Sequence, residues 1–236
     1  MAHSLSRDQL VDRAARHWEK RAEAARAHPA PIPPRPFTVA IAREACTGSS
    51  EIGQEVGLRL GWTVYDRELL EQIAREMGLR ASLLESVDER HVGWWSEGVE
   101  QFLSIGAPME AVSASGFVRH LAESVLALGA HGECVIVGRG SSLILPPQTT
   151  LRVRLVAPFK DRVARLRAAT GFDEAEAARR VHQLDHERER FLRDHFVHDA
   201  NDPRRFDLVL NTSRLSVSGC ADVIVVALKD VSSAAS

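Results

Sequence analysis

A chain of 236 residues, 44% of them hydrophobic, is long enough for one large domain with a sizeable core, or for one domain with an appendage. Its 30 Lys and Arg against 32 Asp and Glu leave a formal net charge of −2, which argues against a general polyanion binder, so no nucleic acid is expected as a partner. Cys46, Cys134 and Cys220 lie far apart, which excludes a disulfide framework or a CxxC metal site and fits a reducing compartment. No apolar run is long enough to span a bilayer and the N-terminus lacks an apolar signal core, so the expectation is a cytoplasmic protein with no membrane partner.

Residues Met1 to Pro36 stand apart. Ser6 and Gln9 form a capping box, and Leu10, Ala14, Trp18, Ala22 and Ala25 follow at helical spacing in a narrow, mostly alanine stripe. The proline-rich run from Pro29 to Pro36 then forbids helix and predicts an extended tether. The segment reads as a helical arm that docks onto its own domain or across a homodimer, or else as a frayed appendage.

From Phe37 to Asp66 the pattern is strand, small-residue loop, helix, strand. An apolar run from Phe37 to Ala42 leads into Cys46-Thr47-Gly48-Ser49-Ser50. Ile52, Val56 and Leu60 share a helical face, and Trp62 to Tyr65 forms a second strand ending on Asp66. A small-residue loop that opens a helix brings backbone N–H groups to an anion and adds the partial positive charge of the helix start, so phosphate is the natural guest. An ordinary tight βα connection is the alternative. The Walker pattern is not met, and no lysine lies between Phe37 and Asp66.

The stretch from Arg67 to Ala130 holds no convincing strand. Leu69, Leu70, Ile73 and Met77 make one helical face stopped by Gly78, and Ser82 begins a short helix to Val87. Trp94 and Trp95 suit stacking on a base or plain core packing. Phe117, Leu121, Val125 and Leu128 mark a helix ending near Gly129. Cys134 to Val137 is the third strand and runs straight into Gly138-Arg139-Gly140. An arginine at the C-terminal end of a parallel strand sits where α/β sheets bind ligands, and its planar fork suits phosphate. A surface loop arginine is the alternative.

Leu151 to Val156 is the fourth strand. The next helix carries Asp161, Arg162, Arg165 and Arg167 and ends at Thr170-Gly171, after which Asp173 caps a long charged helix. Asp185, Arg188, Arg190 and Arg193 crowd its second half, a pattern that alone denotes a solvated face. His182 and His186 lie one turn apart beside Asp185, but zinc needs a further protein ligand, so no metal ligand is assigned. Asp207 to Asn211 is the fifth strand. Ser216 caps a closing helix with Val217, Cys220, Ala221, Ile224, Val225 and Leu228 on one face, and residues from Val231 onward read as a disordered tail. The organisation is then an arm and tether over 1–36, one domain over 37–230, and a tail over 231–236.

Several of these segments carry motifs. Ala42-Arg43-Glu44-Ala45-Cys46-Thr47-Gly48-Ser49-Ser50-Glu51-Ile52 is similar to the pattern S-R-x-x-G-S-G-G-R-E-I. Tyr65-Asp66-Arg67-Glu68-Leu69 matches Y-D-[RK]-E-[LI], Gly138-Arg139-Gly140 matches G-R-G, and Asp185 with Arg188 matches D-x-x-R. The run Asp207 to Leu215 matches Y-D-L-V-L-N-T-S-R-L, with Phe206 in place of the tyrosine. In this order, from about Phe37 to Leu228, the chain resembles the cytidylate kinase-like family of P-loop nucleoside monophosphate kinases. The resemblance implies a three-layer α/β P-loop NTPase fold with a five-stranded parallel sheet, a helical acceptor-site insertion and a helical lid. It implies ATP-dependent phosphorylation of a nucleoside monophosphate, CMP or dCMP, with ATP and Mg2+ as cofactors. Thr47, Gly48, Ser49, Ser50 and Glu51 would bind the donor nucleotide. Asp66, Arg67, Gly138, Arg139 and Asp185 would bind the acceptor, and Arg188, Arg139 and Arg43 would be catalytic.

The departures from the pattern bear on turnover. Cys46, Ser49 and Ser50 replace two glycines and an arginine of the family loop. Set against an ordinary P-loop, Ser49 stands for the lysine and Glu51 for the magnesium-binding hydroxyl. Phosphoryl transfer rests on positioning and on cations, and one missing donor costs roughly 3 kcal/mol, or ~100–1,000-fold in rate. Arg43 or a lid arginine would compensate in part. The alternative is a catalytically inactive relative that binds a nucleotide or a protein partner. A metal-binding protein built on His182 and His186 ranks last.

Overall fold

The computed structural model describes residues 37–66, 116–196 and 200–234. The predicted arm and tether, the helices expected between Arg67 and Val87, the Trp94–Trp95 pair and Arg67 itself lie outside the described residues.

The predicted strands form β1 (Thr38–Arg43), β2 (Thr63–Tyr65), β3 (Cys134–Val137), β4 (Thr150–Val156) and β5 (Leu208–Asn211). All neighbouring pairs are parallel, and the five strands lie in the order β2-β3-β1-β4-β5. The helices are α1 (Ser49–Leu60), α2 (Gly116–His131), α3 (Ser141–Ile144), α4 (Phe159–Thr170), α5 (Glu174–His195) and α6 (Val217–Ala234). With β1 central and β3 and β4 on either side of it, the chain reverses direction across the sheet at β1. In parallel sheets the crevice beyond the carboxyl ends of the strands at such a point is where ligands bind.

β1 and β3 read as continuous apolar runs because both faces are covered, whereas β4 alternates, with Arg152 and Arg154 between buried Leu151, Val153 and Leu155. Val39, Ile41, Val135, Val137, Leu151, Val153 and Leu155 pack beneath Ile52 and Val56 of α1 and Cys220, Ala221, Ile224 and Leu228 of α6. Helices α2 and α3 pack against β3 and β1. The choice of helix over strand for the closing segment holds: the Ser216 hydroxyl accepts from the Gly219 N–H and caps α6. Its predicted end does not. The helix continues to Ala234 because Val231, one turn beyond Leu228, still meets the core and extends the buried stripe. Asp173 caps α5 by accepting from the Glu176 N–H at 2.8 Å, as its position predicts. Among the described residues, no helix is long and apolar enough to cross a membrane.

Candidate active site

Between β1 and α1 the chain makes a tight loop. The Thr47 hydroxyl donates to the Glu44 carbonyl at 3.1 Å, so this buried side chain shapes the loop. Cys46 has φ +57° and Gly48 φ +75°. Cys46 thus takes a left-handed conformation at a place where the family pattern has glycine, at a cost of about 1 kcal/mol. Gly48 caps α1 without a side-chain acceptor, so no side chain satisfies the first N–H groups of α1. Burial pushes the Cys46 thiol up from its ordinary range, against the pull of Arg188, so it stays neutral beside the loop.

The helix start also corrects one expectation. The glycine before α1 is Gly48, and Ser49 and Ser50 follow it directly. Counted from that glycine, the hydroxyl of the ordinary pattern falls on Ser50, and Glu51 stands one residue further along, exposed in the first turn. The lysine is still missing at Ser49.

A cation does reach this loop, from a residue to which the sequence assigned no role. Arg165 of α4 donates through Nη1 to the Cys46 carbonyl at 3.3 Å and through Nη2 to the Thr212 carbonyl at 3.4 Å. A β-carbon on Gly48 would lie 2.9 Å from that Nη1. The guanidinium therefore stands over the phosphate loop and ties it to the segment after β5. Arg43, expected to supply this charge, lies instead against Gly138, where an added β-carbon would come within 2.5 Å of its Cζ.

The loop is braced from below. Arg162 of α4, with its side chain 9% exposed, pairs with Oδ2 of Asp185 on α5 and donates through Nε to the Ala157 carbonyl at 3.0 Å. Asp185 Oδ1 accepts from the Ala45 N–H at 2.8 Å. Glu44 Oε2 accepts from the Ala157 N–H at 3.1 Å and lies 3.5 Å from Arg162 Nε. Beneath this network Ala45, Val163, Ala177 and Val181 form a small apolar core joining the loop to α4 and α5. Asp185, expected at the acceptor, thus has both carboxylate oxygens on protein partners. His182 stacks on Phe159 with ring centroids 4.3 Å apart. Among the described residues, no group of three His, Cys, Asp or Glu is placed to hold a metal ion.

Gly138, Arg139 and Gly140 have φ of +86°, +55° and +73°. Three successive left-handed residues explain why glycine flanks the arginine. The turn aims Arg139 at α5, where its guanidinium lies 5.2 Å from the centroid of the Phe191 ring, and Phe196 packs on Gly140. A cavity of about 330 Å³ opens here between the ends of β1 and β3, the face of β4, and α5. Arg43, Gly138, Arg139, Asp185 and Arg188, all singled out from the sequence, line it together. Residues 46–51 of the phosphate loop are not part of its lining, and neither is Asp66, which follows β2. The cavity also takes in Arg154 and Asn201, which no sequence motif marked.

A uronate isomerase of Corynebacterium glutamicum is 26% identical over 177 residues, covering 75% of this chain and 33% of that protein. The chain thus spans about a third of the length of the curated relative it matches. A crystal structure of an uncharacterised protein from Eubacterium ventriosum is similar in fold, with a TM-score of 0.61 at 17% identity, covering 82% of this chain and 98% of that one. A shikimate kinase from Bacteroides thetaiotaomicron aligns with a TM-score of 0.44 at 15% identity, covering 83% of this chain and 97% of that one. The fold is α/β around a five-stranded parallel sheet, and with the family model matching residues 38–214, the chain belongs to the cytidylate kinase-like family.

Proposed function

We propose that this protein is an ATP-dependent nucleoside monophosphate kinase with weak donor affinity, and that CMP or dCMP is its acceptor. The observation that carries the reading is the convergence of Arg43, Arg139 and Arg188 in one cavity at the strand ends, beside a loop that opens α1. Phosphoryl transfer needs little covalent chemistry from the protein. It needs the acceptor oxygen aligned with the donor's terminal phosphorus, and cations where charge spreads in the transition state. In this reading the N–H groups around Gly48 and the Arg165 guanidinium hold donor phosphates. Arg139 grips the acceptor phosphate, Arg188 supplies charge from the lid helix α5, and Asp185 positions that helix on the loop without touching substrate. The Ser50 hydroxyl is a hard oxygen donor that suits magnesium, which binds few protein ligands. When bound there with the donor, magnesium would neutralise phosphate charge.

The absence of a lysine at Ser49, with Glu51 in the first turn of α1, favours a second reading, a relative that binds nucleotide without turnover. A coupled assay across nucleoside monophosphates with ATP and magnesium, run beside calorimetry, separates the two. The kinase reading expects turnover with CMP or dCMP at or below the low end of the usual ~1–100 per second. Binding with no turnover selects the second reading, and no binding by any nucleotide rejects both.

Two substitutions refine the picture. Combining Ser49→Lys with Glu51→Thr adds one attractive charge and removes one repulsive charge at a helix start. At about 0.7 kcal/mol each, ATP affinity is expected to rise roughly tenfold by calorimetry. Arg139→Ala is expected to weaken CMP binding roughly tenfold or more, with little rescue by Arg139→Lys, because lysine lacks the planar fork. Equal affinity in all three proteins would move the acceptor phosphate away from Arg139.

A further inference from the structure

Arg154 differs from the arginines around it. It lies on β4, an interior strand of the sheet, paired in register with Ala42 of β1 and Val209 of β5. Its neighbours Val153 and Leu155 face the apolar core, so strand alternation sends Arg154 to the other side of the sheet, where it lines the cavity. There its Nη1 donates to Asn201 Oδ1 at 2.6 Å and its guanidinium lies 5.6 Å from the Phe206 ring centroid. Both partners are neutral. By contrast, Arg162 in the same cavity pairs with Asp185 and Glu44, and Arg152, two residues earlier on β4, pairs with Asp207. Arg154 takes part in none of the ion pairs among the described residues. Burial works against its charge, and the carboxylates of Glu44, Glu189 and Asp185 support it only at longer range. A guanidinium held in a partly desolvated cavity with no carboxylate in direct contact is incompletely compensated until an anion completes it.

We propose that Arg154, oriented by Asn201, binds the phosphate of the acceptor and so selects a phosphorylated over an unphosphorylated nucleoside. This rests on reading the cavity as the acceptor site. It adds a residue from the sheet itself, rigidly placed, to the arginines contributed by loops and lid.

The test is calorimetric titration of the full chain with inorganic phosphate, CMP and cytidine, in the native protein and in the Arg154→Gln, Arg154→Lys and Asn201→Ala variants. Arg154→Gln is expected to weaken phosphate and CMP about tenfold and leave cytidine unchanged. Arg154→Lys, which keeps the charge and loses the fork, and Asn201→Ala, which loses only the orienting contact, should each weaken them about threefold. In the coupled assay Arg154→Gln should raise the KM for CMP with the KM for ATP and kcat unchanged. Native-like affinity of Arg154→Gln for phosphate and CMP overturns the proposal, as does failure of the native protein to bind either. Should Arg154→Gln not fold, unchanged affinity in both other variants overturns it. Arg154-dependent binding without phosphoryl transfer leaves the phosphate site standing and removes the kinase reading. A CMP kinase indifferent to Arg154 does the reverse.

Discussion

Replacing Asp185 with alanine is expected to lower the unfolding free energy by about 3 kcal/mol. The carboxylate holds two groups that have no solvent to turn to: the Ala45 N–H and the Arg162 guanidinium, which is 9% exposed on its side chain. Removing one partner of such a pair strands the other, at a typical cost of about 3–5 kcal/mol. Glu44, at 3.5 Å from Arg162 Nε, keeps part of the compensation and sets the expectation at the lower end. Asp185→Asn retains an acceptor for the Ala45 N–H and removes the charge, so its loss should fall between alanine and the native protein. The measurement is the shift in urea midpoint at constant m-value. A second effect separates the brace from a direct substrate contact. Because Ala45 belongs to the phosphate loop, the alanine variant should lose ATP affinity as well as stability. A contact made only to the acceptor would instead raise the KM for CMP and leave the midpoint in place. An unfolding free energy within about 0.5 kcal/mol of native would rule the brace out.

Gly138→Ala is expected to be the most damaging change in the second loop. Residue 138 has φ +86°, and an alanine β-carbon there would overlap Arg43 Nη1 and lie 2.5 Å from Arg43 Cζ. The backbone penalty alone is about 1–2 kcal/mol. Displacing the guanidinium, the far end of a flexible side chain beside a cavity, adds about 1 kcal/mol. Gly171 provides the control: its φ is +76°, yet a β-carbon there meets nothing within 4 Å. Gly171→Ala should therefore show the backbone penalty by itself. In thermal or urea unfolding Gly138→Ala should exceed it by the packing term, and only Gly138→Ala should weaken CMP binding, since only it moves Arg43. Equal losses in the two variants would mean that Arg43 yields freely.

These expectations draw unequally on sequence and tertiary structure. β1 and β3 were legible because runs covered on both faces carry an uninterrupted apolar signal, and β4 because its apolar residues alternate with charged ones. The last helix was legible because Ile224 and Leu228 repeat with a helical period despite their valine neighbours. Gly138-Arg139-Gly140 could be singled out because it follows directly on an apolar strand, at the end where parallel sheets bind ligands. The same local logic misplaced two features. The end of α6 was set before Val231, which packs only because the core reaches it, and Glu51 was assigned the hydroxyl's place, which the helix start gives to Ser50.

Tertiary structure alone decided the rest. Nothing in the order of the strands along the chain says that β4 lies beside β1, and that adjacency is what carries Arg154 into the cavity and sets α4 beneath the phosphate loop. Arg162 and Arg165 sit one turn apart on a charged helix and have the same local signature as a solvated face. One is buried in a carboxylate network and the other stands over Cys46. An arginine's role depends on which acceptors lie within reach of a long side chain, and some of them, such as the Ala45 and Cys46 carbonyls, come from over a hundred positions away in the chain. Periodicity and turn chemistry are local and can be read from sequence. Charge pairing across a fold is not local, and only the packed chain determines it.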